Sequence, residues 1–222
     1  MIDNLNRYFD HSVLKSEIAL ADILRLCQEA RENQFFGIAI NPCWVADAKR
    51  ELIGTGIKII SVSGFPLSAN RTDVKVFEAV RGVEDGADEI DMVANVGWLV
   101  SGEFGRVERE IFEVRKNLPA HTILKVIIEA PKLAPAAQVE ATKAVINGGA
   151  QFVKTATGFF GGATVETVKR LKQAAQGKIK VKASGGIRTF KETVALIEAG
   201  ADRIGSSASV EIMKESRPAP AR

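Results

Sequence analysis

Residues 149–154 read Gly-Ala-Gln-Phe-Val-Lys, and the same figure returns as Gly-Ala-Asp-Glu-Ile-Asp at 86–91 and Gly-Ala-Asp-Arg-Ile-Gly at 200–205. Each copy follows a stretch with apolar residues three and four apart and opens a short β-rich apolar run, so each marks the passage from a helix to a strand. The glycine suits the left-handed residue that closes a helix. Counted from that glycine, Asp91, Lys154 and Gly205 occupy equivalent places in three strands.

Outward from these copies, the alternation covers the whole chain. Eight runs have strand character: Arg7–His11, Gly37–Asn41, Lys58–Ser63, Glu89–Asn95, Ile123–Ala130, Phe152–Thr157, Lys180–Ser184 and Arg203–Ser207. Between them Asp22–Asn33, Asp73–Asp85, Phe104–Leu118, Pro135–Asn147, Val165–Ala175 and Phe190–Ala199 have helical spacing. Strand followed by helix, eight times, implies parallel strands, and eight such units predict a (β/α)₈ TIM barrel. An open doubly wound sheet is disfavoured because no Gly-x-Gly-x-x-Gly follows the first run, although Ser-Gly-Gly-Ile-Arg-Thr at 184–189 resembles a phosphate loop. The capping box Thr189-Phe-Lys-Glu192 fixes the start of the last predicted helix. One barrel domain over 1–215 is expected, with 216–222, rich in Pro and Ala, as a frayed tail.

Composition narrows the function classes. The chain has 222 residues, 46% hydrophobic and 26% charged, which excludes a disordered or collagen-like protein. Thirty basic against twenty-seven acidic residues give a net charge of +3, too even for a nucleic-acid-binding surface. The N-terminal stretch has no basic segment followed by an apolar run, and no apolar stretch is long enough to span a bilayer, so a cytoplasmic protein without membrane partners is expected. Two cysteines, Cys27 and Cys43, indicate neither a disulfide framework nor a zinc ribbon. With only His11 and His121 as imidazoles, and His121 in a turn, no metal site is expected. No Gly-x-Ser-x-Gly elbow positions a serine nucleophile.

Strands buried on both faces should be apolar, yet Asp91, Lys125, Glu129, Lys154 and Lys182 lie within these runs. Buried charges pair, shift their pKa or face a solvated cavity. An internal ion-pair network is one reading. The other follows from alternation: Lys154 and Lys182, near the carboxyl ends of adjacent strands, both point into the barrel mouth, where active sites of this fold lie. Two close ammonium groups disfavour each other's charge and burial acts the same way, so one titrates low and becomes a nucleophile toward carbonyls. Asp91 then supplies a carboxylate for proton transfer, completing an aldolase-type site.

Glycine-rich turns follow the sixth, seventh and eighth runs, and backbone N–H groups in such turns can bind a phosphate, though tight βα turns also use glycine. The expected substrate-binding set is Thr157, Gly158, Gly185, Gly186, Gly205, Ser206 and Ser207, with Asp10, Ser12 and Lys125.

The segments FVKTATGF, KVKASGGIRT, ADEIDMV, LKVIIEA, SGFPLSAN, ADRIGSSA and DHSVLK, in order from about Phe9 to Ile212, resemble the deoxyribose-phosphate aldolase family. The resemblance implies a (β/α)₈ barrel with Lys154 as the Schiff-base lysine, Lys182 as the lysine that perturbs it and Asp91 as the proton relay. It implies reversible cleavage of 2-deoxy-D-ribose 5-phosphate to glyceraldehyde 3-phosphate and acetaldehyde, in deoxyribonucleoside catabolism, with no metal or cofactor. The expected partners are a sugar phosphate and aldehydes, and a homo-oligomer is compatible. The chain departs from the family at Ala39, where a cysteine is common, at Ala130, Ala156 and Ser12, and in having no tyrosine in its tail. Two other readings stay open: a phosphate-binding barrel with isomerase or transaldolase-like chemistry, and a non-catalytic sugar-phosphate sensor.

Overall fold

Gly86, Gly149 and Gly200 all adopt positive φ (114°, 83° and 109°), as the repeated figure requires. Its third residue does further work: Asp88, Gln151 and Asp202 accept with their side chains the amides of Ile59, Leu124 and Val181, and donate their own amides to the carbonyls of those same residues. Each repeat thus stitches the start of its strand to the strand before it.

The computed structural model describes residues 2–217. Its strands are β1 (Phe9–Val13), β2 (Gly37–Ile40), β3 (Lys58–Ser63), β4 (Glu89–Val93), β5 (Ile123–Ile127), β6 (Phe152–Lys154), β7 (Lys180–Ser184) and β8 (Arg203–Ser206). They pair in chain order, all parallel, and β8 pairs with β1, closing the barrel. Around it lie α1 (Leu20–Asn33), α2 (Val45–Glu51), α3 (Thr72–Glu84), α4 (Val96–Val100), α5 (Phe104–Asn117), α6 (Pro135–Asn147), α7 (Val165–Ala175), α8 (Phe190–Glu198) and α9 (Ser209–Glu215). The predicted TIM barrel is the observed fold.

The differences from the sequence reading have local causes. The first strand begins two residues later than expected because Leu5–Tyr8 forms a 3₁₀ turn, from which Arg7 donates to the carbonyls of Gln34 and Phe35 past the end of α1. β5 stops at Ile127 rather than Ala130, since Glu129 turns into the left-handed region (φ 47°) and a 3₁₀ turn with Pro131 follows. β6 is three residues long and ends at Lys154, although the Thr155 amide still donates to the Lys182 carbonyl of β7. The helices α2, α4 and α9, of seven, five and seven residues, were not anticipated; fewer than two full turns give little periodicity to read. At the C-terminus, the amides of Ser216 and Arg217 donate to the carbonyls of Ile212 and Lys214, continuing the last turn of α9. Residues 218–222 of the expected tail lie outside the described residues.

Two interiors result from strand alternation. Ile38, Ile90, Val126, Val153, Val181 and Ile204 point outward into one apolar cluster with Leu26, Ala79, Ile111, Val145, Leu171 and Leu196 of the helices. Full burial of each Val, Ile or Leu among them contributes about 1.5–3 kcal/mol. The residues between them point inward, where the barrel is filled largely by charge.

Candidate active site

The inward face carries Asp10 on β1, Glu89 and Asp91 on β4, Lys125 on β5, Lys154 on β6, Lys182 on β7 and Arg203 on β8, all buried. Cross-strand register places Asp91 beside Lys125 and Lys154 beside Lys182. The ionic contacts form one connected network. Asp91 Oδ2 accepts from Lys154 Nζ and from Lys182 Nζ, each at 2.7 Å, and its Oδ1 accepts from Lys125 Nζ at 2.8 Å. Lys182 also pairs with Asp10, whose other oxygen accepts from Arg203 at 2.8 Å. Lys125 also pairs with Glu89. At the amino-terminal end, the Arg203 guanidinium lies 3.3 Å from the centroid of the Phe36 ring, with Phe152 on its other contact at 5.7 Å.

Four cations share three carboxylates, so the network cannot neutralise every ammonium. Burial disfavours ionisation of Asp10, but Lys182, Lys125 and Arg203 overcome it and hold the carboxyl at about 2. Burial likewise opposes ionisation of Asp91, and Lys125, Lys154 and Lys182 hold it well below the usual carboxylate range. The Lys125 ammonium, disfavoured by burial, is raised above the usual lysine value by Asp91, Glu89 and Asp10. Lys154 goes the other way. Burial lowers it to about 8, Asp91 resists, and Lys182 and Lys125 add to the lowering. The sequence reading put the neighbouring ammonium first; desolvation is the larger cause.

Lys154 and Lys182 open onto a cavity of about 370 Å³ at the carboxyl ends of the strands. Its wall also includes Ser12 and Ala39, which are register partners on β1 and β2, and Thr157, Gly158, Gly185, Gly186, Gly205, Ser206 and Ser207. Eight of the ten expected substrate contacts therefore line one cavity. Asp10 and Lys125 do not: they lie one layer deeper, fully buried, held by the ions around them, and their place is in the network rather than on the cavity wall. Asp91 also lies behind the wall, reached through the two lysines.

The glycines divide by role. A Cβ on Gly162 would lie 2.4 Å from the Gly185 carbonyl oxygen, and one on Gly185 would lie 2.8 Å from that of Gly161, so the turns after β6 and β7 need glycine to pack on each other. At Gly186, φ +73°, an added Cβ would meet nothing within 4 Å. Gly205 makes room for the lysine: a Cβ there would lie 3.1 Å from Lys182 Cε. The Ser206 hydroxyl is committed to the loop, donating to the Ile187 carbonyl and accepting the Ala208 amide.

Sequence reasoning missed Lys15 and Arg188, two cationic residues that also line the cavity. Arg188 stands in the phosphate-loop-like segment 184–189, which was the available signal. Cys43 is exposed and lines a separate hollow with Val74 and Phe77. Cys27 is buried on α1, and His121 is exposed. Among the described residues, no group of three or more His, Cys, Asp or Glu side chains could hold a metal ion, and no helix is long and apolar enough to cross a membrane.

Comparison with known proteins places this geometry. Residues 5–214 match the family described as DeoC/LacD family aldolase. The chain is 47% identical over 211 residues to the deoxyribose-phosphate aldolase of Mannheimia succiniciproducens, covering 95% of this chain and 94% of that protein. It is 48% identical over 212 residues to the enzyme of the same name from Aciduliprofundum boonei, covering 95% and 96%. Among solved structures, the tetrameric deoxyribose phosphate aldolase from Aeropyrum pernix superposes with a TM-score of 0.88 at 31% identity, covering 95% of this chain and 89% of that one.

Proposed function

Because this chain belongs to the DeoC/LacD family of aldolases, we propose that it cleaves 2-deoxy-D-ribose 5-phosphate reversibly to D-glyceraldehyde 3-phosphate and acetaldehyde through a Schiff base on Lys154. The observation that carries the reading is an amine held at about 8 on the wall of a cavity, hydrogen-bonded to a buried carboxylate that a second lysine shares.

At neutral pH about a tenth of Lys154 is unprotonated, enough to attack the aldehyde carbon of the open-chain sugar. Loss of water gives the iminium. Removal of the proton on the C3 hydroxyl then lets the C2–C3 bond break, its electron pair moving into the iminium to leave an enamine while glyceraldehyde 3-phosphate departs. Protonation of the enamine at C2 and hydrolysis release acetaldehyde and restore the amine. Lys182 faces the cavity and touches Asp91, so protons pass between substrate and Asp91 by way of the Lys182 ammonium or a water beside it. The phosphate goes to the turns after β7 and β8, where Gly186 leaves the backbone open and Arg188 and Lys15 bring positive charge. The absence of a membrane-spanning helix among the described residues is compatible with a cytoplasmic enzyme. The tetramer of the Aeropyrum pernix relative makes a homo-oligomer the expected assembly.

Borohydride reduction in the presence of acetaldehyde tests this. One ethyl group should be added, on the peptide that contains Lys154. Labelling of Lys182 instead would reverse the two roles, and no adduct at all would overturn the Schiff-base reading.

A further inference from the structure

Glu129 stands out among the buried groups that this mechanism does not use. It is fully buried although it lies past the end of β5, and it holds a left-handed backbone (φ 47°, ψ 54°) that non-glycine residues rarely adopt. Strain of that kind persists where the surroundings fix it, and it is commonest at functional sites. Here the surroundings are the chain just beyond Lys154. The Ile128 amide donates to the Lys154 carbonyl and the Ala130 amide to that of Thr155, so Glu129 is clamped on both sides against the β6 exit. Its carboxylate accepts the Thr157 hydroxyl at 2.6 Å and the Thr157 amide at 3.3 Å.

Thr157 lines the cavity and Glu129 does not. The valences of the threonine hydroxyl can be counted. An ionised carboxylate only accepts, so the single hydroxyl proton of Thr157 is directed to Glu129. One lone pair takes the Phe159 amide at 3.2 Å. What remains is one lone pair and no proton, so Thr157 can meet a substrate only as an acceptor. We propose that Glu129 is a positioning residue that fixes Thr157 as an acceptor, making this wall of the cavity select a substrate carrying a hydroxyl group there over one carrying none. Burial raises the Glu129 carboxyl above its ordinary value, and the two Thr157 hydrogen bonds, Lys154 and Lys132 oppose that rise.

This inference rests on the aldolase reading, and the test separates the two. With acetaldehyde as donor, kcat/KM is measured for glyceraldehyde 3-phosphate and for 3-oxopropyl phosphate, which lacks the 2-hydroxyl. In the same samples, borohydride trapping with acetaldehyde alone reads imine formation, and its absence from the unmodified enzyme would refute the aldolase reading itself. The unmodified enzyme should favour the hydroxylated acceptor by about tenfold or more, as expected for one hydrogen bond to a desolvated hydroxyl. In Glu129→Gln the amide can donate to Thr157 as well as accept from it, so the hydroxyl loses its fixed polarity and the preference should fall about tenfold. Thr157→Val should show the same fall, and the double variant no further one. If Glu129→Gln does not fold, Glu129→Asp, which withdraws the carboxylate by one methylene, carries the same expectation. A preference that survives in the Glu129 variants, or an equal loss on both acceptors, would overturn the proposal.

Discussion

Replacing Lys182 by Met isolates the charge coupling on which the lysine chemistry depends. Lys154 Nζ and Lys182 Nζ each lie 2.7 Å from the same Asp91 oxygen, which limits their separation to about 5 Å. At an effective dielectric constant of about 20, two like charges about 5 Å apart repel by about 3 kcal/mol, or about two pH units in the titration of either. Lys182→Met removes that repulsion and leaves Asp91 paired with Lys154 and Lys125, so Lys154 should move from about 8 to about 10. The sign is that of a base made stronger: at pH 7 its unprotonated fraction falls from about one tenth to about one thousandth, and imine formation slows about 100-fold. Asp10 keeps Arg203 at 2.8 Å, so the barrel retains a partner for each carboxylate, and Met fills the stem's space beside Gly205. The assay is the rate of borohydride-trapped adduct with acetaldehyde between pH 6 and pH 10.5, with thermal unfolding of the same samples as a check on the fold. A pH midpoint that stays near 8 in Lys182→Met would refute the coupling and leave burial, aided by Lys125, as the cause of the lowered value.

Lys154→Met should abolish trapping yet stabilise the protein at pH 7 by about 3 kcal/mol, because a lysine held at about 8 against 10.5 in the unfolded chain costs stability below 8. In urea titrations that gain should shrink as pH rises from 8 to 10.5 and vanish above. Asp10, held at about 2 against 3.8, contributes stability that is complete above about pH 4 and lost as pH falls to about 2. Asp10→Asn should cost about 3–5 kcal/mol at neutral pH, since it leaves Arg203 and Lys182 short of a buried partner, and should flatten acid unfolding across that window. Arg188→Met and Ser207→Glu should each raise KM for deoxyribose 5-phosphate about tenfold or more while leaving unphosphorylated deoxyribose within about twofold; equal effects on both would place the phosphate elsewhere. Ala39→Cys should hasten inactivation by concentrated acetaldehyde, whose self-addition and dehydration give a thiol-alkylating unsaturated aldehyde. The adduct mass belongs on residue 39, and equal inactivation of the unmodified protein through Cys43 would dismiss the position.

The barrel was legible in the sequence because its elements are local: the Gly-Ala figure caps a helix and starts a strand within six residues, and apolar spacing identifies the long helices. The charged residues in the strands were legible for the same reason, since a polar side chain inside a buried run is a local anomaly. Strand alternation carried Lys154 and Lys182 into one mouth. Three kinds of fact needed the closed barrel. The partners of Asp10 lie 172 and 193 residues away in the chain, on β7 and β8, so closure alone decides that it anchors an ion network. The glycines of the β6 and β7 turns have their reason in each other's backbone, which no spacing along the chain displays. Finally, whether Lys154 titrates low depends on how much water the closed barrel excludes and how four cations divide three carboxylates, and these are properties of a volume, fixed only when all eight strands surround it.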